Sequence, residues 1–451
     1  MRAQTTARKT LWGLLGLCLA LSVYVVWDNW GDTWTAQENR EAREAHGVAP
    51  ILTPADPTAQ IAQIARGQYL ARAGNCVACH SAPGAQAMAG GRPIQTPFGA
   101  VFSSNLTPDT TTGIGLWNTH DFWQAMHYGR SKGGRLLAPA FPYNHTSVVT
   151  RADSDDLLAW LKSLPPVQQV TPAHTLVWPL GTQAALAVWR SAYFKPRPFK
   201  ADPTRSSEWN RGAYLVQGLG HCAACHSPRN AMGASGAVDN LSGGLMPVVN
   251  WYAPDLTQDK ETGMASTPLA EIVQLLRTGE SRQAQTSGPM AEVVQHGTQH
   301  LTESDLQAMA VYLQSRAQNS PPLDSAPVRA KVSLVVANKG LQVYERHCAQ
   351  CHGEQGQGVT TAAGQTAYPA LAGNRAVLLS DPTNLVQMVL YGGFGPATAL
   401  HPRPFGMPPA VLELDDRDIS AVLTHLRTQW GNQASDVTPL QVNRIRAAQG
   451  H

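Results

Sequence analysis

Cys76-Val77-Ala78-Cys79-His80 decides the fold, because two thiols three positions apart, followed at once by a histidine, are the attachment motif of a covalent c-type haem. In such a motif the thiols bond the porphyrin vinyl groups, and the histidine reaches the iron as its proximal ligand. The pattern returns as Cys222-Ala223-Ala224-Cys225-His226 and as Cys348-Ala349-Gln350-Cys351-His352. One motif therefore accounts for six of the seven cysteines.

A structural zinc site and a redox dithiol are the alternatives for an isolated motif of this kind. Zinc needs four ligands and usually pairs one CxxC with a second about 15 to 20 residues further on, whereas these copies are separated by far more chain. We therefore predict three covalently bound haem c groups. The predicted attachment residues are Cys76, Cys79, Cys222, Cys225, Cys348 and Cys351, and the predicted proximal iron ligands are His80, His226 and His352.

Length and composition agree with one haem in each of three domains. A chain of 451 residues is long enough for about three domains of ordinary size. Its 39 glycines and 32 prolines, against 14% charged residues, indicate loops that wrap a large apolar cofactor. A formal net charge of +3, without a basic run interleaved with aromatic residues, excludes a nucleic-acid partner.

The N-terminal segment predicts one transmembrane helix. The run from Leu11 to Trp27 carries no charge, basic residues precede it and Asp28 follows it. It is longer than the apolar region of most signal peptides and no small-residue cleavage site follows, so an uncleaved anchor is favoured over a removed signal. The positive-inside rule and the need to attach haem outside the cytoplasm then place the body on the periplasmic side of the inner membrane.

Each repeat has the same two helices around its haem motif. The opening helix carries a basic residue followed by glycine, and the closing helix starts with a capping-box-like pair, a hydroxyl or carboxylate three residues before an aspartate. The basic steps are Arg66-Gly67, Arg211-Gly212 and Lys339-Gly340, and the capping pairs are Thr150 with Asp153, Thr302 with Asp305, and Asp415 with Asp418. This plan predicts an all-α fold of three tandem, loop-rich cytochrome c domains.

The predicted boundaries follow from these repeats. They are an anchor or signal at 1–30, a spacer at 31–57, domains at 58–165, 204–319 and 334–451, and linkers at 166–203 and 320–333.

The sixth iron ligands are expected in the loop before each closing helix. Met290 in Gly288-Pro289-Met290 and Met407 in Gly406-Met407-Pro408 are the candidates for the second and third haems. The same register in the first repeat holds Phe141, which cannot bind iron. We predict His145, four residues further on, as the sixth ligand of the first haem, and an open sixth position is the alternative.

Other methionines and histidines near the motifs have simpler explanations. Alignment of the repeats puts Met126 at a core position and His127 outside any ligand position. His296, His300 and His401 lie in polar stretches typical of solvent-facing histidines.

Several stretches resemble the triheme cytochrome c subunits of membrane-associated bacterial alcohol, aldehyde and gluconate dehydrogenases. They are TPFGAVFSSNLTPDTTTGIGLW, PAFPYNH, EWNRGAYLVQGLGHCAACHSPRN, WYAPDLT, GPMAEVV and HCAQCHGEQGQG. The resemblance implies a subunit that is not itself the catalyst and that passes electrons from a periplasmic dehydrogenase subunit through three haems to ubiquinone or a downstream respiratory carrier.

The resemblance also bears on the catalytic partner, which in this family is a quinoprotein, a flavoprotein or a molybdenum hydroxylase. Quinoprotein-linked members often read PAMPY where this chain has Phe141, so a molybdenum hydroxylase is favoured. A peroxidase-like multihaem enzyme, using an open first haem, is the competing functional hypothesis.

Overall fold

The computed structural model describes residues 2–30, 57–319, 332–362 and 366–448. Nearly all of the predicted spacer 31–57 and linker 320–333 lies outside the described residues. The chain divides into two compact units. One contains Met1–Gln68 and His80–Phe199, and the other contains Tyr69–Cys79 and Lys200–His451.

Helices form the framework, as the sequence predicts. Up to residue 199 they are α1 Arg2–Trp30, α2 Pro57–Ala73, α3 Cys76–His80, α4 Thr119–Tyr128, α5 Tyr143–Thr146, α6 Arg151–Ser163 and α7 Gln183–Tyr193. Those that follow up to residue 319 are α8 Ser207–Gln217, α9 Asp259–Thr262, α10 Leu269–Thr278, α11 Pro289–His296 and α12 Glu303–Gln318, with 3₁₀ turns at Cys222–Ala224 and Thr298–His300. The last are α13 Leu334–His347, α14 Ala349–His352, α15 Arg375–Leu378, α16 Thr383–Tyr391, α17 Asp416–Thr428 and α18 Pro439–Ala448.

Four short antiparallel hairpins, which the all-α prediction omitted, lie in the loops between the helices. Their strands are β1 Pro93–Thr96 with β2 Gly99–Phe102, β3 Gly244–Met246 with β4 Trp251–Ala253, β5 Val359–Thr360 with β6 Thr366–Tyr368, and β7 Gly393–Phe394 with β8 Gly406–Met407. The pairings align Pro93 with Phe102, Gly244 with Ala253, Val359 with Tyr368, and Gly393 with Met407. Strands of two to four residues leave too short an alternating pattern to be read from sequence.

The opening and closing helices of each repeat touch at the predicted glycine. A Cβ at any of the three glycines would overlap a carbonyl oxygen of the closing helix, so only glycine lets the two backbones approach so closely. The overlapping pairs are Gly67 with Asp156, Gly212 with Ala308, and Gly340 with Ala421.

The basic residue before each glycine pairs with the aspartate of the closing helix's cap. Arg211 Nη2 lies 2.7 Å from Asp305 Oδ2, and Lys339 Nζ lies 2.6 Å from Asp418 Oδ1. Arg66 pairs with Asp153 in the same way. Because these bases are partly exposed, each ion pair is worth at most about 1 kcal/mol. The pairs therefore fix the register between the two helices more than they stabilise the fold.

The third repeat has its own apolar core between its opening and closing helices. Val343 and Tyr344 of α13 pack with Ile419 and Leu423 of α17, and Leu390 of α16 closes the cluster. These side chains are almost completely buried, so the third repeat holds a core of its own within its unit.

The N-terminal helix and the first linker both differ in detail from the predictions. The uncharged run lies within α1, but no helix among the described residues meets the length and apolarity that a membrane span requires. The predicted linker 166–203 contains a regular helix, α7, that packs on α1. Its N-terminus is capped by Thr182, whose hydroxyl accepts a hydrogen bond from the amide of Ala185.

Candidate haem-binding sites

The three haem motifs lie on tight turns immediately after the opening helices. They occupy α3, the 3₁₀ turn at Cys222–Ala224, and α14 with the residue before it. A turn of this kind places residues three apart on the same side, so both thiols of a motif face one cofactor edge. Burial, and then repulsion from the second cysteine of the motif, raises the pKa of Cys76 and Cys222 to about 12 and that of Cys348 to about 11.

The three proximal histidines are oriented by the same hydrogen bond. His80 Nδ1 lies 2.8 Å from the carbonyl oxygen of Ser104, and the equivalent distances are 2.8 Å from His226 to Pro254 and 2.9 Å from His352 to Pro369. A carbonyl oxygen can only accept, so Nδ1 carries the proton and Nε2 keeps its lone pair for iron.

Electrostatics favour the same neutral form of these histidines. Burial lowers the pKa of His80, His226 and His352, and the carbonyl contacts oppose that shift only in part. At neutral pH each imidazole is therefore uncharged, which is the state that binds a metal.

A glycine locks each histidine to the segment that accepts its Nδ1 proton. The amides of Gly90, Gly243 and Gly358 donate to the carbonyl oxygens of the three proximal histidines, at 2.8, 2.9 and 2.8 Å. Their φ angles are 75°, 74° and 72°. A Cβ would lie 2.5 Å from Ser104 C at Gly90, 2.7 Å from Asp255 N at Gly243, and 2.6 Å from Ala370 N at Gly358. Each histidine thus belongs to a three-part unit of histidine, glycine and carbonyl.

Sequence reasoning missed these carbonyl and glycine partners. The three acceptor residues share one feature of sequence, since each stands two residues before a leucine. The three stretches are Ser104-Asn105-Leu106, Pro254-Asp255-Leu256 and Pro369-Ala370-Leu371. A backbone acceptor leaves no side-chain signature, so the pattern has meaning only once the contact is seen.

The predicted sixth ligands lie on more regular structure than the expected loops. Met290 stands in the first turn of α11, where Pro289 suits the start of a helix, and Met407 lies in β8. Both methionines are half-buried. His145 is on α5 and only 2% exposed, and Phe141 lies half-buried in the turn before it. Iron ligation by these side chains stays a prediction.

The methionine and histidines that are the alternatives to the predicted sixth ligands have other surroundings in the structure. Met126 is buried, as expected of a core residue. His127 stacks on Trp123 with ring centroids 4.4 Å apart, and burial lowers its pKa to about 4. His401 Nδ1 lies 3.7 Å from a carboxylate oxygen of Glu280.

A family model of known proteins matches each of the three repeats separately. The model of the family described as cytochrome c matches residues 64–165, 210–317 and 337–430. The chain belongs to the cytochrome c family. This cytochrome is 36% identical over 420 residues to the gluconate 2-dehydrogenase cytochrome c subunit of Pantoea cypripedii, covering 89% of this chain and 93% of that one.

Two further relatives are also named as cytochrome subunits of dehydrogenases. The cytochrome is 36% identical over 405 residues to the alcohol dehydrogenase (quinone) cytochrome c subunit of Gluconacetobacter polyoxogenes, covering 86% of this chain and 85% of that one. It is 32% identical over 431 residues to the fructose dehydrogenase cytochrome subunit of Gluconobacter japonicus, covering 87% of this chain and 85% of that one.

These matches confirm the predicted cofactors and the kind of subunit. The cytochrome carries three covalently bound haem c groups, and each motif offers two thiols and a neutral imidazole with Nε2 available. It is an electron-transfer subunit of a dehydrogenase rather than a catalytic enzyme. Each bound haem supplies a one-electron iron couple, and the protein sets its ligands and surroundings.

Proposed function

We propose that this cytochrome is the membrane-anchored, periplasmic relay subunit of a dehydrogenase complex, passing electrons from a catalytic partner to ubiquinone or a downstream cytochrome or oxidase. The names of its relatives support the dehydrogenase partner. The uncharged run of α1 supports the anchor, since Trp12, Leu17 and Leu19 are exposed apolar side chains there.

The observation that carries a relay is the contact between the first and second attachment turns. His221, the residue before Cys222, places Nε2 3.3 Å from the carbonyl oxygen of Gly74, two residues before Cys76. A Cβ at Gly74 would lie 3.2 Å from Cys76 Sγ and 3.4 Å from Cδ2 of Leu219. The two turns are therefore packed against each other within one compact unit.

This contact gives a short path between two haems. Electron transfer slows steeply with separation, and bonded or hydrogen-bonded atoms carry it better than a gap. From Cys76 the path runs along the backbone to Gly74, crosses to the ring of His221, and returns along the backbone to Cys222. The proposed relay therefore passes electrons between the first and second haems along this path.

Replacement of His221 by alanine tests the relay. After rapid photoreduction of the purified holoprotein, we expect slower redistribution of electrons between the first and second haems. His347→Ala is the matched control, because His347 precedes Cys348 in the same register but lies beside Glu413, at 3.7 Å. Equal redistribution rates in the two variants would contradict the proposed path.

The sixth ligands are proposed to be Met290, Met407 and His145. Methionine raises the reduction potential of a c-type haem relative to histidine, so the first haem has the lowest potential of the three. Phe141, which cannot bind iron, and the burial of His145, four residues further on, support this assignment of the ligand. A redox titration that finds three indistinguishable high-potential haems would refute it, and His145→Met is expected to raise the potential of the first haem alone.

A molybdenum hydroxylase is the proposed catalytic partner, on the strength of Phe141, with a quinoprotein or a flavoprotein as the alternatives. The test is to purify the tagged cytochrome from its native membranes and to measure molybdenum, flavin and quinone cofactor in the complex. Molybdenum in near one-to-one ratio with the cytochrome is expected. Flavin in its place would indicate a flavoprotein partner, and quinone cofactor would indicate a quinoprotein partner.

The electron acceptor can be tested on the cytochrome alone. Chemically reduced protein, mixed anaerobically with ubiquinone-1 in detergent, is expected to lose its ferrous haem absorption completely. Failure to reoxidise, with normal reoxidation by an added oxidised cytochrome, would favour the downstream carrier over the quinone.

A further inference from the structure

A buried arginine links α1 to the turn that carries His145. Arg190 lies on α7, in the segment that the sequence marked as a linker, and its side chain is only 4% exposed. Burying a guanidinium is costly unless its N–H groups find acceptors. The groups that surround this buried charge therefore indicate its structural role.

The guanidinium holds two elements through hydrogen bonds. Nε donates to Oδ1 of Asn29, at 3.0 Å, and Nη2 donates to the carbonyl oxygen of Tyr128, at 2.7 Å. Nη1 reaches the carbonyl oxygen of Gly129 at 3.5 Å. Tyr128 and Gly129 end α4, where helix carbonyls lack partners within the helix and the helix dipole favours a cation.

Asn29 completes the link to α1. It is 1% exposed, and its amide nitrogen donates to the carbonyl oxygens of Val25 and Ala187 and to Oγ of Ser191, at 3.0, 3.0 and 2.9 Å. Its side-chain oxygen, Oδ1, accepts the hydrogen bond from Arg190 Nε. The end of α1 is thus bound to α7 by an amide that uses both donors and its acceptor.

The other face of the guanidinium holds the distal turn of the first haem. Its central carbon lies 5.0 Å from the ring centre of Tyr143 and 4.7 Å from that of Phe194, distances typical of cation–π contacts. Tyr143 is the first residue of α5 and stands two residues before His145. Thr146 fixes the other end of α5, since its hydroxyl donates to the carbonyl oxygen of Met126 at 2.5 Å.

The groups around Gly129 are packed too closely for a side chain at that position. Gly129 has φ 58°, and a Cβ there would lie 2.6 Å from Cδ1 of Tyr143 and 2.8 Å from Nη1 of Arg190. The nearby carboxylate of Asp28 is taken by Lys195, whose Nζ lies 2.6 Å away. No ion pair with a carboxylate is present for Arg190 among the described residues, so its charge is balanced mainly by carbonyl dipoles and aromatic faces.

We infer that Arg190 is the positioning residue of the first haem: it ties the turn that carries His145 to the end of α1 and adds a buried positive charge beside that turn. The inference rests on the proposed ligation by His145. A fixed cation favours the reduced haem, because reduction removes a positive charge from the iron. The first haem is the one whose potential then depends on α1 packing.

Arg190→Met and Lys195→Met provide a matched test. Each removes one positive charge from the same segment, but Lys195 is exposed and pairs with Asp28 of α1. In redox titrations followed by electron paramagnetic resonance, Arg190→Met is expected to cut the reduced-to-oxidised ratio of the first haem about tenfold at fixed potential, which is about 59 mV for one electron. Its low-spin signal should also shift, and Lys195→Met should change neither.

Other outcomes would overturn the inference. An unchanged or raised potential of the first haem in Arg190→Met, or equal shifts of all three haems, contradicts it. Arg190→Lys keeps the charge without the planar fork, so a smaller drop with an altered low-spin signal is expected.

A second variant covers the case in which Arg190→Met fails to fold. Asn29→Ala leaves the charge in place and removes one acceptor. It should alter the low-spin signal of the first haem, and an unaltered signal would refute the link to α1. His145→Ala tests the ligand separately: an unchanged spectrum there refutes the ligation, whereas a changed spectrum with a silent Arg190→Met refutes only the role of Arg190.

Discussion

Replacing Gly358 by alanine perturbs the unit that orients the third proximal histidine. Gly358 donates its amide to the carbonyl oxygen of His352 and has φ 72°. A Cβ would lie 2.6 Å from Ala370 N and from Tyr368 O, and 2.8 Å from Pro369 C. Pro369 supplies the carbonyl that accepts from His352 Nδ1, so the added methyl pushes on the segment that fixes the imidazole.

Two costs are expected for this substitution. An alanine at positive φ costs roughly 1 to 2 kcal/mol, and overpacking against backbone costs a further 1 to 3 kcal/mol or so. Gly373 isolates the first cost, because it has φ 68° and no neighbour within 4 Å of its Cβ position. We expect Gly373→Ala to lower the free energy of unfolding by about 1 to 2 kcal/mol and Gly358→Ala by about 2 to 5 kcal/mol.

The assay is chemical denaturation of the holoprotein with a redox titration of the same samples. In Gly358→Ala the hydrogen bond from His352 Nδ1 to Pro369 weakens, so the imidazole donates less charge to iron and the potential of the third haem rises. Gly373→Ala should leave that potential unchanged. Equal destabilisation by the two variants, or a third haem that does not respond, would refute the role assigned to this glycine.

Two further predictions concern the sixth ligands and one ion pair. Met290→Ala and Met407→Ala should each lower one haem potential and admit carbon monoxide to that ferrous iron, whereas Met309→Ala should cost about 2 to 5 kcal/mol of stability without changing a potential, because Met309 is a buried core residue. Carbon monoxide binding in the Met309 variant alone would reverse that assignment. Burial acts to raise the pKa of Asp305, but the hydrogen bonds from Arg211 and Tyr69 and the charge of Arg211 together outweigh it, so the pKa is lowered. The stability from Asp305 is therefore complete above its unfolded pKa of about 3.9 and is lost as the pH falls through the lower folded value, so Asp305→Asn should show a flatter acid limb in unfolding midpoints measured against pH.

The helical framework was predictable because its signals are local. The glycines at 67, 212 and 340 and the caps at Thr150, Thr302 and Asp415 all lie where the sequence placed them. A cap needs only a side chain and an amide three residues away, so a short window of sequence contains the whole interaction. The hairpins lacked such local signals, whereas the helix inside the first linker has a cap at Thr182 that was overlooked in a stretch rich in prolines.

The site was predictable only on its covalent side. The spacing of Cys76, Cys79 and His80 predicts their roles, since thioether chemistry needs that order of residues. Met290 was expected in a loop and stands in the first turn of a helix, because a proline such as Pro289 suits the start of a helix as well as a turn. The role of His145 depends on what surrounds it, which no spacing reveals.

The sequence alone determined that this protein carries three covalent haem c groups and predicted the thiols and histidines that hold them, because attachment chemistry is written in contiguous residues. Only the tertiary structure decided which distant residues lie beside those haem motifs. The carbonyl of Pro254, the contact of His221 with Gly74, and the position of Arg190 join residues far apart in the chain. Backbone acceptors and buried contacts leave no residue pattern, so folding had to bring them together before they could be recognised.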